Sequence, residues 1–151
     1  AAVYVENPLL HHGMKCQLNT DEVAEPNVFA VPAVIAAYQN GAGWLDELRN
    51  YIHQNKQYVT EFLQNKIPEI YPVVSDATYL MWLDCRKLTE DSRKFTDFIR
   101  EKTGLFVMRG SVYGKNGEGF LRLNIATSKL IVEDGMQRLL EGVTAWKNDI
   151  N

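Results

Sequence analysis

Between residues 44 and 63 the apolar positions Trp44, Leu45, Leu48, Tyr51, Ile52, Val59, Phe62 and Leu63 recur at steps of three and four. That period places them on one stripe of a helix. Asn55 falls on the same stripe, and an amide buried there needs backbone partners. Pro68 and Pro72 break the pattern. Residues 79–83 are apolar at every position, which predicts a central strand covered on both faces. Phe95, Phe98 and Ile99 predict a helix over residues 89–103, with Asp91 or Ser92 as its cap and Gly104 as its stop. Residues 105–108 read as a strand, residues 110–119 as a Gly-rich turn and residues 120–125 as a further strand. Beyond Ser128, the positions Val132, Met136, Leu139, Leu140, Val143 and Trp146 predict a last helix. From residue 44 the order is helix, strand, helix, strand, strand, helix. That is an α+β layer with helices packed on a small sheet.

Residues 1–43 are patterned differently. Val3-Tyr4-Val5 is a short β-like run stopped by Glu6-Asn7-Pro8, with no obvious partner strand. A lone strand is not stable. A stretch without clear periodicity follows, containing the His11-His12 pair. Residues 29–38 are so rich in Ala, Val and Ile that they predict a short, almost wholly apolar helix. Pro32 is acceptable in its first turn, and Gly41-Ala42-Gly43 ends it.

Composition narrows the function classes. The chain has 151 residues, a formal net charge of −3, 46% hydrophobic and 23% charged residues. This is ordinary globular composition, long enough for one substantial core. The charge excludes a strongly basic nucleic-acid footprint over the whole chain. No apolar run approaches the roughly 20 residues of a membrane helix, and no charged-then-apolar signal pattern follows Ala1. Cys16 and Cys85 form no C-x-x-C motif, and the expectation is a reducing, cytoplasmic setting.

Gly110-Ser-Val-Tyr-Gly114-Lys115-Asn116 has the look of a phosphate loop. Its first spacing is one residue short, Asn116 stands where a magnesium ligand belongs, and it leads into a strand. Its glycines serve turn geometry. His11, His12 and His53 have no metal-ligand spacing. Cys85 ends an apolar strand and reads as an inert core thiol; a thiol enzyme using Cys16 is a distant alternative. The informative residue is Arg122. In residues 120–125 the period of two puts Phe120, Arg122 and Asn124 on one face and Leu121, Leu123 and Ile125 on the other. An arginine in such a strand needs a partner, and its planar fork fits a carboxylate. Either Arg122 pairs with an internal acid such as Asp84, or it faces a cleft and grips a ligand's carboxylate or phosphate.

The run Gly110-Ser111-Val112-Tyr113-Gly114, followed by Gly117-Glu118-Gly119-Phe120-Leu121-Arg122-Leu123-Asn124-Ile125-Ala126-Thr127, resembles the C-terminal signature of fold-type I pyridoxal-phosphate enzymes. It is most similar to the cystathionine β-lyase-like carbon–sulfur lyases of the class I/II aminotransferase superfamily. Glu25-Pro26-Asn27-Val28-Phe29-Ala30, Ala36-Ala37-Tyr38, Gly43-Trp44-Leu45-Asp46-Glu47-Leu48, Asn55 and Thr78-Tyr79-Leu80-Met81-Trp82-Leu83-Asp84 agree in order and spacing.

The resemblance implies that residues 1–43 are the tail of the large cofactor-binding domain. It makes residues 44–66 the long connecting helix and residues 67–151 the C-terminal small domain. It implies pyridoxal 5'-phosphate as cofactor, a homodimer, and an amino-acid substrate, sulfur-containing in the lyase branch. Nucleic acid and membrane are not expected partners. It makes Arg122 the residue that binds the substrate α-carboxylate, sets Gly110, Ser111 and Tyr113 at the cleft mouth, and places Asn27 and Phe29 near a dimer-related active site. The family's Schiff-base lysine lies upstream of Ala1, and none of the nine lysines here stands in its motif. The implied protein is therefore a C-terminal fragment of a C–S β-lyase or aminotransferase, inactive by itself because that lysine is absent. A non-catalytic α+β binding module is the alternative from another class.

Overall fold

Asn7 and Pro8 start a helix that hydrophobic periodicity does not predict. In the computed structural model, which describes residues 3–23 and 25–150 apart from the side chain of Ile150, α1 runs Pro8–Thr20. The Asn7 side chain accepts from the N–H groups of Leu9 and Leu10 at 3.0 and 3.2 Å. Pro8 occupies the first helical position, where a missing N–H costs nothing. Local capping thus sets this helix where no apolar stripe announces it. Val3, Tyr4 and Val5 join no strand, contrary to their β-like composition. α2 runs Ala30–Asn40 with Pro32 in its first turn, as its composition predicts, and has no buried residue. The chain does not break over three residues after it: α3, Ala42–Lys66, begins directly beyond Gly41.

Two compact units divide the chain, residues 1–46 and 47–151. In the second, the stripe of α3 buries Asn55, Val59 and Leu63. Four strands follow in the order of the chain: β1 Tyr71–Pro72, β2 Leu80–Asp84, β3 Met108–Arg109 and β4 Phe120–Asn124. They form one sheet in the spatial order β1-β2-β4-β3 with every pair antiparallel. Pro72 sits on the edge strand, the position where a residue without an N–H is tolerated. The strand expected over residues 105–108 shrinks to Met108–Arg109, and the turn expected over residues 110–119 contains two short 3-10 segments, Gly110–Tyr113 and Lys115–Gly117.

Between β2 and β3 lies α4, Ser92–Thr103, and after β4 comes α5, Lys129–Ile150. Asp91 caps α4 by accepting from the Lys94 N–H at 2.9 Å, and Gly104 ends it in the left-handed conformation. Phe95 and Phe98 of α4 both meet the Trp146 ring of α5 edge-on, with centroids 5.1 Å apart. The core of this unit joins Val59 and Leu63, Met81 and Leu83, Phe95 and Ile99, Leu121 and Ile125, and Met136, Leu139 and Val143.

This packing corrects the expectation that β2 is covered on both sides. Met81 and Leu83 are buried in the core, whereas Leu80, Trp82 and Asp84 are only half-buried on the opposite face. β4 repeats the pattern, with Leu121 buried and Phe120 and Arg122 half-buried. The alternation of a strand carries one apolar set to the helices and leaves the other available.

Candidate functional site

The available face of the sheet collects the polar chemistry. Register sets Trp82 of β2 directly opposite Arg122 of β4, and Asp84 opposite Phe120. Asp84 is therefore not the partner of Arg122. Its carboxylate takes the fork of Arg86 instead, through Nε at 3.0 Å and Nη2 at 2.6 Å, and also accepts from the Arg86 backbone N–H at 3.0 Å. These hydrogen bonds hold the Asp84 carboxyl below its ordinary range, against the opposing effect of partial burial. Cys85, next in sequence, points into the core, where burial pushes its thiol up.

Arg122 rests on an aromatic ring. Its guanidinium carbon lies 5.2 Å from the centroid of Tyr113. Among the described residues no carboxylate forms an ion pair with it. Trp82 meets the Tyr113 ring edge-on at 5.7 Å and stacks on Phe120 at 5.6 Å. Arg86 lies over the other member of that stack, 4.9 Å from the Phe120 centroid. Two arginines thus flank three rings on one face. One has its Nε–Nη2 edge occupied by Asp84, and the other pairs with no carboxylate among the described residues.

The turn that carries Tyr113 depends on two glycines packed backbone to backbone. A Cβ on Gly110 would stand 2.3 Å from the Gly117 carbonyl oxygen, and one on Gly117 would stand 2.0 Å from that of Gly110. Ser111 donates its N–H to the Ser92 hydroxyl at 3.4 Å, and that hydroxyl donates to the Glu118 carboxylate at 3.1 Å. The turn is so fastened to the start of α4. On that side lies a shallow cavity of about 430 Å³ lined by Arg93 and Arg109 but also by Glu90, Asp91 and Glu118, so its charges offset one another. On α3, the Asn55 amide donates to the carbonyls of Ile125 and Thr127 at 3.1 and 3.0 Å. The buried amide on the apolar stripe is satisfied by backbone, and it fastens the chain just beyond β4.

Gly110, Ser111, Tyr113 and Arg122 accordingly belong to one unit, with the Tyr113 ring in contact with Arg122. Asn27 and Phe29 belong to the other unit, where both are exposed and the Asn27 side chain accepts from the Phe29 N–H at 2.9 Å. The members that residue-type reasoning overlooked are Trp82 and Arg86. Trp82 lay in plain view as the middle residue of an apolar strand, but which face it takes follows from burial alone. In the first unit Cys16 and His12, one turn apart on α1, bring Sγ within 3.6 Å of Nε2. Among the described residues no group of three or more potential metal ligands assembles, and no helix is long and apolar enough to cross a membrane.

Helices on one face of a small antiparallel sheet, with an aromatic-bedded arginine on the other, define an α+β protein whose site suits an anionic group. The sequence profile of the family Aminotransferase class I and II matches residues 23–139. The chain belongs to that family. Protein MalY of Escherichia coli (strain K12) is 37% identical over 125 residues, which cover 83% of this chain and 32% of MalY. Cystathionine beta-lyase PatB of Bacillus subtilis (strain 168) is 32% identical over 139 residues, 92% of this chain and 36% of PatB. The crystal structure of cystalysin from Treponema denticola, which contains a pyridoxal 5'-phosphate cofactor, superposes with a TM-score of 0.86 at 25% identity, covering 93% of this chain and 36% of that one. The chain spans about a third of the length of these relatives.

Proposed function

We propose that this chain supplies the substrate-carboxylate clamp of a pyridoxal-phosphate-dependent carbon–sulfur β-lyase of the cystathionine β-lyase type. Arg122 grips the α-carboxylate, and Gly110, Ser111 and Tyr113 line the mouth of the cleft. The observation that carries this reading is the Arg122 guanidinium, set on the Tyr113 ring, with no ion-paired carboxylate among the described residues. Such a group presents parallel N–H donors that match a carboxylate bidentately. The likeness to PatB favours lyase chemistry. Transamination is the second reading, favoured by the family itself.

The residues described here fit an amino acid's carboxylate and do not fit the cofactor. Of the nine lysines, Lys56 and Lys147 are half-buried and the other seven are exposed. Lys56 donates to the Ser75 carbonyl, Lys147 pairs with Glu69, and Lys129 with Glu133. None is enclosed in the way an aldimine-forming lysine requires. In our reading the groups that hold the cofactor lie outside the residues of this chain. When bound, that cofactor would supply an electron sink at the substrate Cα. What this chain contributes is orientation. A carboxylate held at two points fixes the direction of the Cα–H bond, and such positioning converts directly into rate.

The domain reading accompanies it. Residues 1–43 are the tail of the large domain, residues 44–66 the connecting helix and residues 67–151 the small domain. Homodimer formation would bring Asn27 and Phe29 to the partner's site. The exposed apolar side chains Val28, Phe29, Val31 and Tyr38 support burial of that segment against other protein.

The test is Arg122→Ala in the full-length, pyridoxal-phosphate-loaded protein. Loss of a charged bidentate contact worth about 1.5–3 kcal/mol raises KM for L-cystathionine roughly 10- to 150-fold. An α-carboxamide analogue should lose little. An equal loss on both substrates refutes the clamp.

A further inference from the structure

We infer that Tyr113 is a positioning residue for Arg122: its ring holds the guanidinium in place from the face while leaving the hydrogen-bonding edges open, and Trp82 sets the ring. This rests on the reading of Arg122 as the carboxylate clamp.

The two arginines of the open sheet face show the difference between an acid and a ring as partner. Asp84 engages Arg86 through one edge, Nε and Nη2 at 3.0 and 2.6 Å, and so takes up the side-on pair of donors. Tyr113 approaches Arg122 with its guanidinium carbon 5.2 Å from the ring centroid, a cation–π contact that involves the ring's face and consumes no N–H donor. A long arginine side chain left alone samples many rotamers, and fixing it on binding costs affinity. A ring beneath it meets part of that cost before the ligand arrives.

Tyr113 itself is set from two sides. Its backbone belongs to the 3-10 turn that the Gly110–Gly117 contact closes. Its ring meets the edge of Trp82 at 5.7 Å and 70°. Trp82 in turn stacks on Phe120 at 5.6 Å, and register places Trp82 directly across from Arg122. Tyr113 is 52% exposed, so core filling does not account for the contact. The ring serves the arginine.

Two readouts test this in the full-length, pyridoxal-phosphate-loaded protein carrying Tyr113→Leu, Tyr113→Phe or Arg122→Lys. Because Tyr113 is so exposed, the leucine variant removes little core. The first readout is the Nε–H resonance of Arg122, assigned by its loss in Arg122→Lys. The ring current shifts it in the parent, Tyr113→Leu abolishes that shift, and Tyr113→Phe restores it. The second is the affinity ratio for L-alanine over L-alaninamide, followed by cofactor absorbance. Loss of an exposed cation–π contact lowers that ratio about 2- to 5-fold in Tyr113→Leu, and Tyr113→Phe recovers it. If Tyr113→Leu leaves both the resonance and the ratio as in the parent, while Arg122→Lys collapses the ratio, the clamp stands and the positioning role falls. If Arg122→Lys leaves the ratio intact, the clamp falls and takes the positioning role with it.

Discussion

Removing the Asn55 amide tests how the second unit is held together. Asn55 is 2% exposed and lies on the buried stripe of α3 with Val59 and Leu63. Its Nδ2 group donates to the carbonyls of Ile125 and Thr127, 70 and 72 residues away, so one side chain fastens α3 to the segment joining β4 and α5. In Asn55→Ala both acceptors lose their donor. The bond to Ile125 is buried, and an acceptor stranded there costs about 1–3 kcal/mol; the bond to Thr127 is partly exposed, where water replaces the donor and the loss is about 0.5–1.5 kcal/mol. Together the substitution should cost about 1.5–4.5 kcal/mol. With an m-value of about 2 kcal/mol per molar urea, the unfolding midpoint falls by about 0.8–2.2 M. Asn55→Asp sharpens the test. An ionised carboxylate would face two carbonyl oxygens, so this variant should be less stable than Asn55→Ala at neutral pH. It should recover as the pH drops and the buried carboxyl, its pKa raised, acquires a proton to donate. A cost below about 0.5 kcal/mol for Asn55→Ala, within the range of ordinary surface changes, would refute the account. So would an aspartate variant that tracks the alanine variant at every pH.

Gly117→Ala places a methyl 2.0 Å from the Gly110 carbonyl oxygen, a clash with backbone that cannot swing away; it should cost at least the 1–3 kcal/mol of ordinary overpacking, about as much as Gly110→Ala, and change the near-ultraviolet dichroism of Trp82 and Tyr113. Asp84 has a depressed carboxyl because Arg86 engages it, so its contribution is present above the unfolded value of about 3.9 and is lost as pH falls through the lower folded value. Asp84→Asn should therefore be less stable than the parent at neutral pH, with the difference shrinking toward pH 2 in acid-unfolding curves. Cys16 is exposed and Cys85 buried with its thiol pushed up; a thiol reagent should label Cys16 but not Cys85 in the native protein and both in denaturant, and rapid native labelling of Cys85 would contradict its burial.

Much of the second unit is legible in the chain because its elements are long and amphipathic. α3, α4 and α5 follow their apolar stripes to within a few residues, and Asp91 and Gly104 bound α4 as their chemistry requires. Asn55 stood out as an amide on an apolar stripe, and its backbone partners answer the question it posed. α1 is not legible in this way. It has no buried residue, and its start is set by the Asn7 cap. β1 and β3 are two residues each, too short to show a period, and exist because a neighbouring strand completes their hydrogen bonds.

The α+β class, the main helices, the alternation of β4 and the singular position of Arg122 are written in local patterning, because periodicity records which side of a local element is apolar. What Arg122 touches depends on contacts between distant parts of the chain. Asp84 and Tyr113 lie in different elements, and nothing in the chain's local order chooses between them. Antiparallel register does: it puts Trp82 across from Arg122 and Asp84 across from Phe120, and the Gly110–Gly117 contact brings Tyr113 to the arginine. The coverage of β2 was decided in the same way. Its residues are apolar on both faces, but α3, α4 and α5 supply a core for one, which leaves the other face to the rings and the two arginines.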